Sequence, residues 1–250
     1  SQRYINQNVH AYEPFSGGYL GIGKITDAFL KEEINNLIFK IDGLNHLLPG
    51  TPIAFVDKLK QNGNLISAQL DNVLSAAIIL YLYQHGFAGT AFFTAQEEAG
   101  KSWRFVHEWF KKNKISTDKL VVLDTSPYES REEADKQLIV LRNKDVNARF
   151  KSPLLKELKQ FCKKNKISFS CKDKFIIEKN KLREKDGLKP LSIGSTELGR
   201  IVMESNGQIQ GATLQIPTTG YHTVDETACV ESIKAIIFIL SSFYIKTVNI

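Results

Sequence analysis

Hydrophobic positions follow two regimes along the chain. Up to about residue 62, short apolar pieces are broken by Gly17, Gly18, Gly21, Gly23, Gly43 and Gly50, which predicts short strands and turns. From Asn64 onward, apolar stretches of helical length alternate with short β-type runs. That alternation predicts an α/β fold, with a mostly parallel central sheet flanked by helices and preceded by a small β-rich N-terminal domain. The expected boundaries are 1–62 for the small domain and 63–250 for the main one. Residues 72–84 are apolar nearly all round and read as a buried helix, with Asp71 just before it at a position suited to an N-cap. A strand is expected at 90–96. A helix follows at 102–112, with Trp103, Val106 and Phe110 on one face. Short buried strands are expected at 119–123 and 137–141. Ser152 and Pro153 open an amphipathic helix to 164. Beyond it come a helix at 196–204, a strand at 211–216 ended by Pro217, and a long apolar helix at 226–244.

Composition narrows the class. A length of 250 residues allows one large domain or a main domain with a smaller partner. The net charge of +6 comes from scattered lysines, which read as solvated helix faces. A dense basic patch interleaved with aromatics is missing from the sequence, so no nucleic-acid partner is expected. The longest apolar run, at 235–240, is far short of the ~20 residues that span a bilayer, so no membrane partner is expected either. Cys162, Cys171 and Cys229 are odd in number and form no CxxC or CxxH, which argues against a disulfide framework or a Cys-ligated metal. Together with the lack of a signal pattern, this places the protein in the cytoplasm.

Ligands in open α/β sheets bind outside the carboxyl ends of the strands. Glu97 and Glu98 follow the strand expected at 90–96, Asp124 follows 119–123, and His222 follows 211–216 after a short turn. Asp71 opens the helix preceding the first of these strands. Carboxylates and imidazole suit zinc, cobalt or manganese. Two divalent ions ~3.5–4 Å apart need a bridging carboxylate and groups completing each shell. A further carboxylate, not a ligand, is needed to move the water's proton to the leaving group. Each residue also has an ordinary role open to it. Asp71 could cap a helix, Glu97 and Glu98 could be a solvated pair, Asp124 could open a turn, and His222 could be a core histidine. Their joint arrival at one sheet edge favours the metal centre.

These segments resemble the M42 aminopeptidases of the glutamyl aminopeptidase and TET-like kind, within the co-catalytic metallopeptidases. The resemblance runs over roughly residues 50–244. It is carried by AQLDN at 68–72, FTAQEEAG at 93–100, LDTS at 123–126, GSTELG at 194–199 and IPTTGYHTVDE at 216–226. Each motif is weak alone; five in order are a strong signal. The resemblance implies that Asp71 bridges two divalent metal ions, zinc with cobalt or manganese as alternatives. It implies that Glu98 and His222 complete one ion, that Asp124 serves the other, and that Glu97 is the catalytic base. Gly194, Ser195 and Thr196 are implied to contact the substrate. The implied activity is removal of N-terminal amino acids from peptides by a metal-activated water, in a homo-oligomer closed through the small domain.

The sequence departs from the family pattern in three places. The family's remaining ligand is a His in a His-x-Asp segment upstream of the small domain, and none occurs in these residues. The expectation is that this His precedes Ser1, or else that the ion at the Asp71–Asp124 end is weakly held. Glu197 stands where an Asp is usual, and TTGYH lacks a basic residue near the last His. Two alternatives follow: a deacylase of N-acylated small molecules, or a non-catalytic homologue with an incomplete metal site.

Overall fold

The computed structural model describes residues 2–56 and 59–245. The chain divides into two compact units, Ser1–Lys60 and Gln61–Ile250. The first is a β-sheet unit made of β1 (Asn8–Tyr12), β2 (Tyr19–Lys31), β3 (Asn36–Asp42) and β4 (Ile53–Phe55). Its strands run in the order β3-β2-β1-β4, antiparallel throughout. Period-two alternation puts Val9 and Ala11 of β1 inside with Gly23 and Ile25 of β2, and the register shift after Ile25 brings Ala28 to the same side. The Tyr4 ring closes this small core against Phe55 and Phe39, at centroid distances of 5.8 and 5.2 Å. Tyr19, Leu20, Ile22, Phe29, Leu30 and Ile34 are left exposed.

The second unit carries β5 (Lys60–Asn62), which starts at its boundary, then β6 (Leu65–Ala68), α1 (Val73–Gln84), α2 (Trp103–Asn113), β7 (Thr117–Pro127), α3 (Arg131–Ala134) and β8 (Ile139–Leu141). It continues with α4 (Pro153–Lys164), β9 (Phe169–Cys171), α5 (Lys172–Lys185), α6 (Glu197–Glu204), β10 (Ile209–Thr219), β11 (Glu226–Cys229) and α7 (Val230–Tyr244). The strand order is β5-β6-β11-β10-β8-β9, with β7 also paired to β10. The fold is mixed α/β, but the sheet is not mostly parallel as the alternation suggested. Among the described ladders β7–β10 and β8–β9 are parallel, and β10–β11, β11–β6 and β10–β8 are antiparallel. The short link 220–225 between β10 and β11 allows nothing else, since a parallel return needs a long crossover.

The sheet's centre is the unit's core. Ala212, Leu214 and Ile216 of β10, Ile139 and Leu141 of β8, and Leu158 of α4 are all at 1% exposure or less. On α7, Ser232, Ala235, Ile236, Ile239 and Leu240 form one buried stripe at helical spacing. Each large side chain buried in this way contributes about 1.5–3 kcal/mol. No helix among the described residues is long and apolar enough to cross a membrane.

Four local expectations change. Residues 90–96 form no strand among the described ladders. They run along the wall of a cavity of about 840 Å³ between α1, α2 and β7, lined by Phe92, Val106, Phe110, Leu120 and Val122. Strand propensity is realised only against a partner, and among the described ladders β7 pairs with β10. Residues 226–229 are a strand rather than the start of a helix, because Glu226–Cys229 pairs with β6. Pro217 does not end its strand, which continues to Thr219, with Thr218 in register with Pro127 of β7. Finally, α1 is not buried all round: Val73, Leu80, Tyr81 and Tyr83 are exposed. The strand β9 and the helix α5 had no counterpart in the hydrophobic pattern. Alternating lysines along 172–185 leave α5 without a clear apolar stripe.

Candidate active site

Asp71 follows β6 by three residues and stands one residue before Asn72, which is the true N-cap of α1. The Asp71–Asn72 peptide bond is cis. The Asn72 side chain donates to the Leu123 carbonyl at 2.8 Å, which fastens this corner to β7. His222 sits in the turn between β10 and β11 with a left-handed φ of 56°. Glu226, the first residue of β11, is 1% exposed and joins the two. Its Oε2 accepts from the backbone N–H of Leu70 and Asp71, both at 2.8 Å, and its Oε1 accepts from the N–H of His222 at 2.7 Å. A single buried carboxylate thereby holds the bases of two candidate ligands.

Asp71, Glu98 and His222 come together: each offers a ligand atom, and these atoms lie within 4.8 Å of one another. His222 Nε2 is 3.0 Å from Glu98 Oε1 and 3.5 Å from Asp71 Oδ2. Yet Nε2 is shielded from water and has no hydrogen-bond partner. Buried polar atoms are nearly always paired. With Nε2 in ion-pair range of two carboxylates but aligned for a hydrogen bond to neither, the three groups are a fitting donor set for a divalent cation.

Asp124 is placed differently. It lies inside β7 rather than past its end, in register with Gln215 of β10. Its Oδ1 accepts from the Thr125 N–H at 2.8 Å, and Oδ2 accepts from Gln215 Nε2 at 3.3 Å. It is not one of the three clustered ligands. Burial, then the neighbouring Asp71 charge, pushes its carboxyl up to about 8. Asp71 is raised to about 6, by burial and by Glu226 and Glu98.

Glu97 and Glu98 sit in a turn closed by the Gly100 N–H donating to the Glu97 carbonyl at 2.6 Å. Gln96 enters that turn at φ 65° and Gly100 leaves it at φ 64°. Glu97 is exposed as a residue, but loss of water around its carboxyl, then Glu98 and Glu197, raises it to about 6. Thr94 Oγ1 donates to Glu197 Oε1 at 3.3 Å, so the first turn of α6 meets this segment.

The GSTELG loop has a structural job as well. Asp145 accepts from the Thr196 N–H at 2.8 Å and from its hydroxyl at 2.9 Å. Thr196 in turn caps α6 by accepting from the Gly199 N–H. A Cβ at Gly199 would lie 1.9 Å from Asp145 Oδ2, so only glycine fits there. Ser195 Oγ accepts from Asn147 Nδ2 at 2.8 Å. Gly194 has a φ of 79°, with Arg142 beside it.

Three residues at the site were not singled out from sequence. Glu226 and Gln215 look like ordinary strand residues until the ladder places them. Tyr221 stacks on the His222 ring at 3.6 Å between centroids. Burial, then Glu98, Asp71, Asp124 and Glu97, raises its phenol pKa. Only its position beside His222 offered a signal in the sequence.

The family model for M42 glutamyl aminopeptidases matches residues 44–177, more than half of the chain. The chain belongs to the M42 family. It is therefore placed among peptidases, a family of generally metal-dependent enzymes, consistent with the acid and histidine cluster. Several solved structures share the fold of this M42 chain. One is the TET1 peptidase of Pyrococcus horikoshii, described as assembling into a tetrahedron or a large octahedral shell. It is 18% identical with a TM-score of 0.66, covering 97% of this chain and 73% of that one. A TET aminopeptidase from a marine sediment Thaumarchaeota archaeon is 16% identical with a TM-score of 0.67, covering 98% and 72%. An aminopeptidase from the archaeon Desulfurococcus kamchatkensis is 15% identical with a TM-score of 0.66, covering 97% and 69%. No curated protein matches the chain.

Proposed function

We propose that this M42 chain is a metallo-aminopeptidase whose unit Gln61–Ile250 carries the reaction. The observation behind this reading is the buried His222 Nε2, without a hydrogen bond, facing the Asp71 and Glu98 carboxylates. Those three residues would hold one divalent cation, and Asp124, next to Asp71, would serve a second. Zinc fits the carboxylate and imidazole donors. When bound, the cations would polarise the scissile carbonyl and lower the pKa of water.

The chain's own residues supply the rest. Glu97 takes a proton from the attacking water and delivers it to the leaving amine. A carboxyl raised to about 6 suits both halves of that transfer near neutral pH. Tyr221 packs on His222 and restricts its ring. Glu226 keeps Asp71 and His222 at fixed separation. Gly194 and Ser195 contact the peptide, while Thr196 stays committed to Asp145 and Gly199. The exposed apolar residues of the first unit support a closed homo-oligomer, as described for TET1.

The test is a comparison of aminoacyl-anilides with N-acyl amino acids on the zinc-loaded chain. Cleavage of the anilides, lost on chelation and restored by zinc, is expected. Turnover of the N-acyl compounds alone overturns the aminopeptidase reading and installs the deacylase. Turnover of neither, with no zinc retained, installs a non-catalytic homologue.

A further inference from the structure

Asp124 is held by a chain of side chains that runs from strand to strand across the sheet to the loop at Ile193. Gln215 Nε2 donates to Asp124 Oδ2 at 3.3 Å and to the Thr125 carbonyl at 3.1 Å. Gln215 Oε1 accepts from Arg142 Nε at 3.0 Å. Arg142 Nη1 donates to the Ile193 carbonyl at 2.5 Å, next to Gly194. Gln215 is 1% exposed and Arg142 7%. Both belong to the sheet or its edge: Gln215 pairs with Asp124 and with Val140, and Arg142 follows β8 directly.

The chemistry of the groups fixes the direction of this chain. A guanidinium only donates, whereas an amide has one accepting and one donating end. With Arg142 on one side, Gln215 must turn Oε1 toward it. Nε2 then faces Asp124 and the Thr125 carbonyl, which only accept. The opposite flip would set two donors together and leave an oxygen against two oxygens. Asp124 thus receives one N–H on each carboxylate oxygen, from Thr125 and from Gln215. The two N–H groups fix the orientation of the Asp124 carboxyl group.

We propose that Gln215 and Arg142 are positioning residues: Arg142 locks the Gln215 amide, and Gln215 holds the Asp124 carboxyl group in the orientation that takes a divalent cation. Groups that orient a metal ligand typically change affinity 10- to 100-fold when removed. The same arginine anchors Ile193, so the loop leading to Gly194 and Ser195 is tied to the geometry of Asp124. This inference rests on the metal-site reading above, and zinc binding separates the two.

The experiment titrates the full chain with zinc against a fluorescent chelator and records the visible spectrum of the cobalt-loaded form. The wild-type chain is expected to bind two equivalents. Gln215→Leu should weaken the Asp124 equivalent about 10- to 100-fold and alter the cobalt spectrum, leaving the equivalent at Asp71, Glu98 and His222 unchanged. Arg142→Gln should weaken the same equivalent less, and Arg142→Lys should restore part of the loss. If Gln215→Leu does not fold by circular dichroism, Arg142→Gln against Arg142→Lys decides alone. Wild-type affinity and an unchanged cobalt spectrum in the variants overturn the inference. So does a wild-type chain with one equivalent that neither substitution touches, although the metal reading then stands. A wild-type chain that binds no zinc overturns the metal reading, and this inference with it.

Discussion

Asp71, Asp124 and His222 reach the site from backbone tied into the sheet, whereas Glu97 and Glu98 come from a segment with no ladder. The first group is fixed by Glu226, by Gln215 and by the long β7–β10 pairing. The second hangs from residues 90–96, which border a cavity of about 840 Å³. A site built this way has a rigid half that sets ligand geometry. Its other half carries the base and one ligand on backbone that can shift at little cost. Local stability varies across a structure in this manner, and groups that must move are drawn from its weaker parts.

The largest effect expected is on chemistry, at the loose half. Glu97→Gln keeps shape but cannot take a proton, so kcat on an aminoacyl-anilide should fall about 10²- to 10⁴-fold. Zinc stoichiometry should stay the same. Activity at the wild-type level would remove Glu97 from the mechanism.

On the rigid half, Glu226→Ala should come next. It leaves one buried and two part-buried backbone N–H groups without their acceptor. A loss of roughly 3 kcal/mol is expected, since bonds to charged groups contribute ~1.5–3 kcal/mol each and water recovers part. Urea unfolding measures it. A change under about 0.5 kcal/mol, within the scatter of ordinary surface substitutions, would show that the two ligand segments are held by something else.

A pair of truncations tests the contrast directly. Leu214→Ala, in the fully buried centre of β10, should cost about 2–5 kcal/mol. Phe92→Ala removes a larger ring that meets Trp109 at 5.1 Å, but from the unpaired segment. It should cost only about 1 kcal/mol, below the ~3–5 usual for a buried Phe. Equal costs would mean that residues 90–96 are as firmly packed as the sheet.

A further effect is a pH slope. Lys172 lies at 6% exposure with Nζ 3.5 Å from the centre of the Tyr128 ring, donating to the Pro127 carbonyl at the end of β7. Burial lowers its pKa from 10.5 to about 7. Between those two values the unfolded chain holds a proton that the folded chain has released. Stability should therefore rise as pH increases from about 7 toward 10.5 and be flat in this term below 7. Lys172→Met should remove that part of the slope in unfolding experiments. An unchanged slope would locate it in other groups.

Much of the rigid half was legible in the sequence, and the reasons are local. Ser152 and Pro153 announced α4, and the apolar runs of β7 and β10 announced the sheet centre. The order of the acidic motifs announced the family. What failed depended on partners distant in sequence. Nothing within 90–96 says that β7 will pair elsewhere. Nothing within 226–229 says that β6 waits beside it. Asp124 was expected past a strand end, and only the register with Gln215 shows it inside one. Glu226 escaped notice because its value lies in N–H groups supplied by Leu70 and Asp71, far back along the chain.

The central claim is that Asp71, Glu98 and His222 grip a common cation. Diffraction from zinc-soaked crystals, collected on both sides of the zinc absorption edge, addresses it directly. An anomalous peak within bonding distance of His222 Nε2 and the carboxylates of Asp71 and Glu98 is the expected result. A zinc-saturated crystal with no peak there, or with these side chains turned apart, would contradict it.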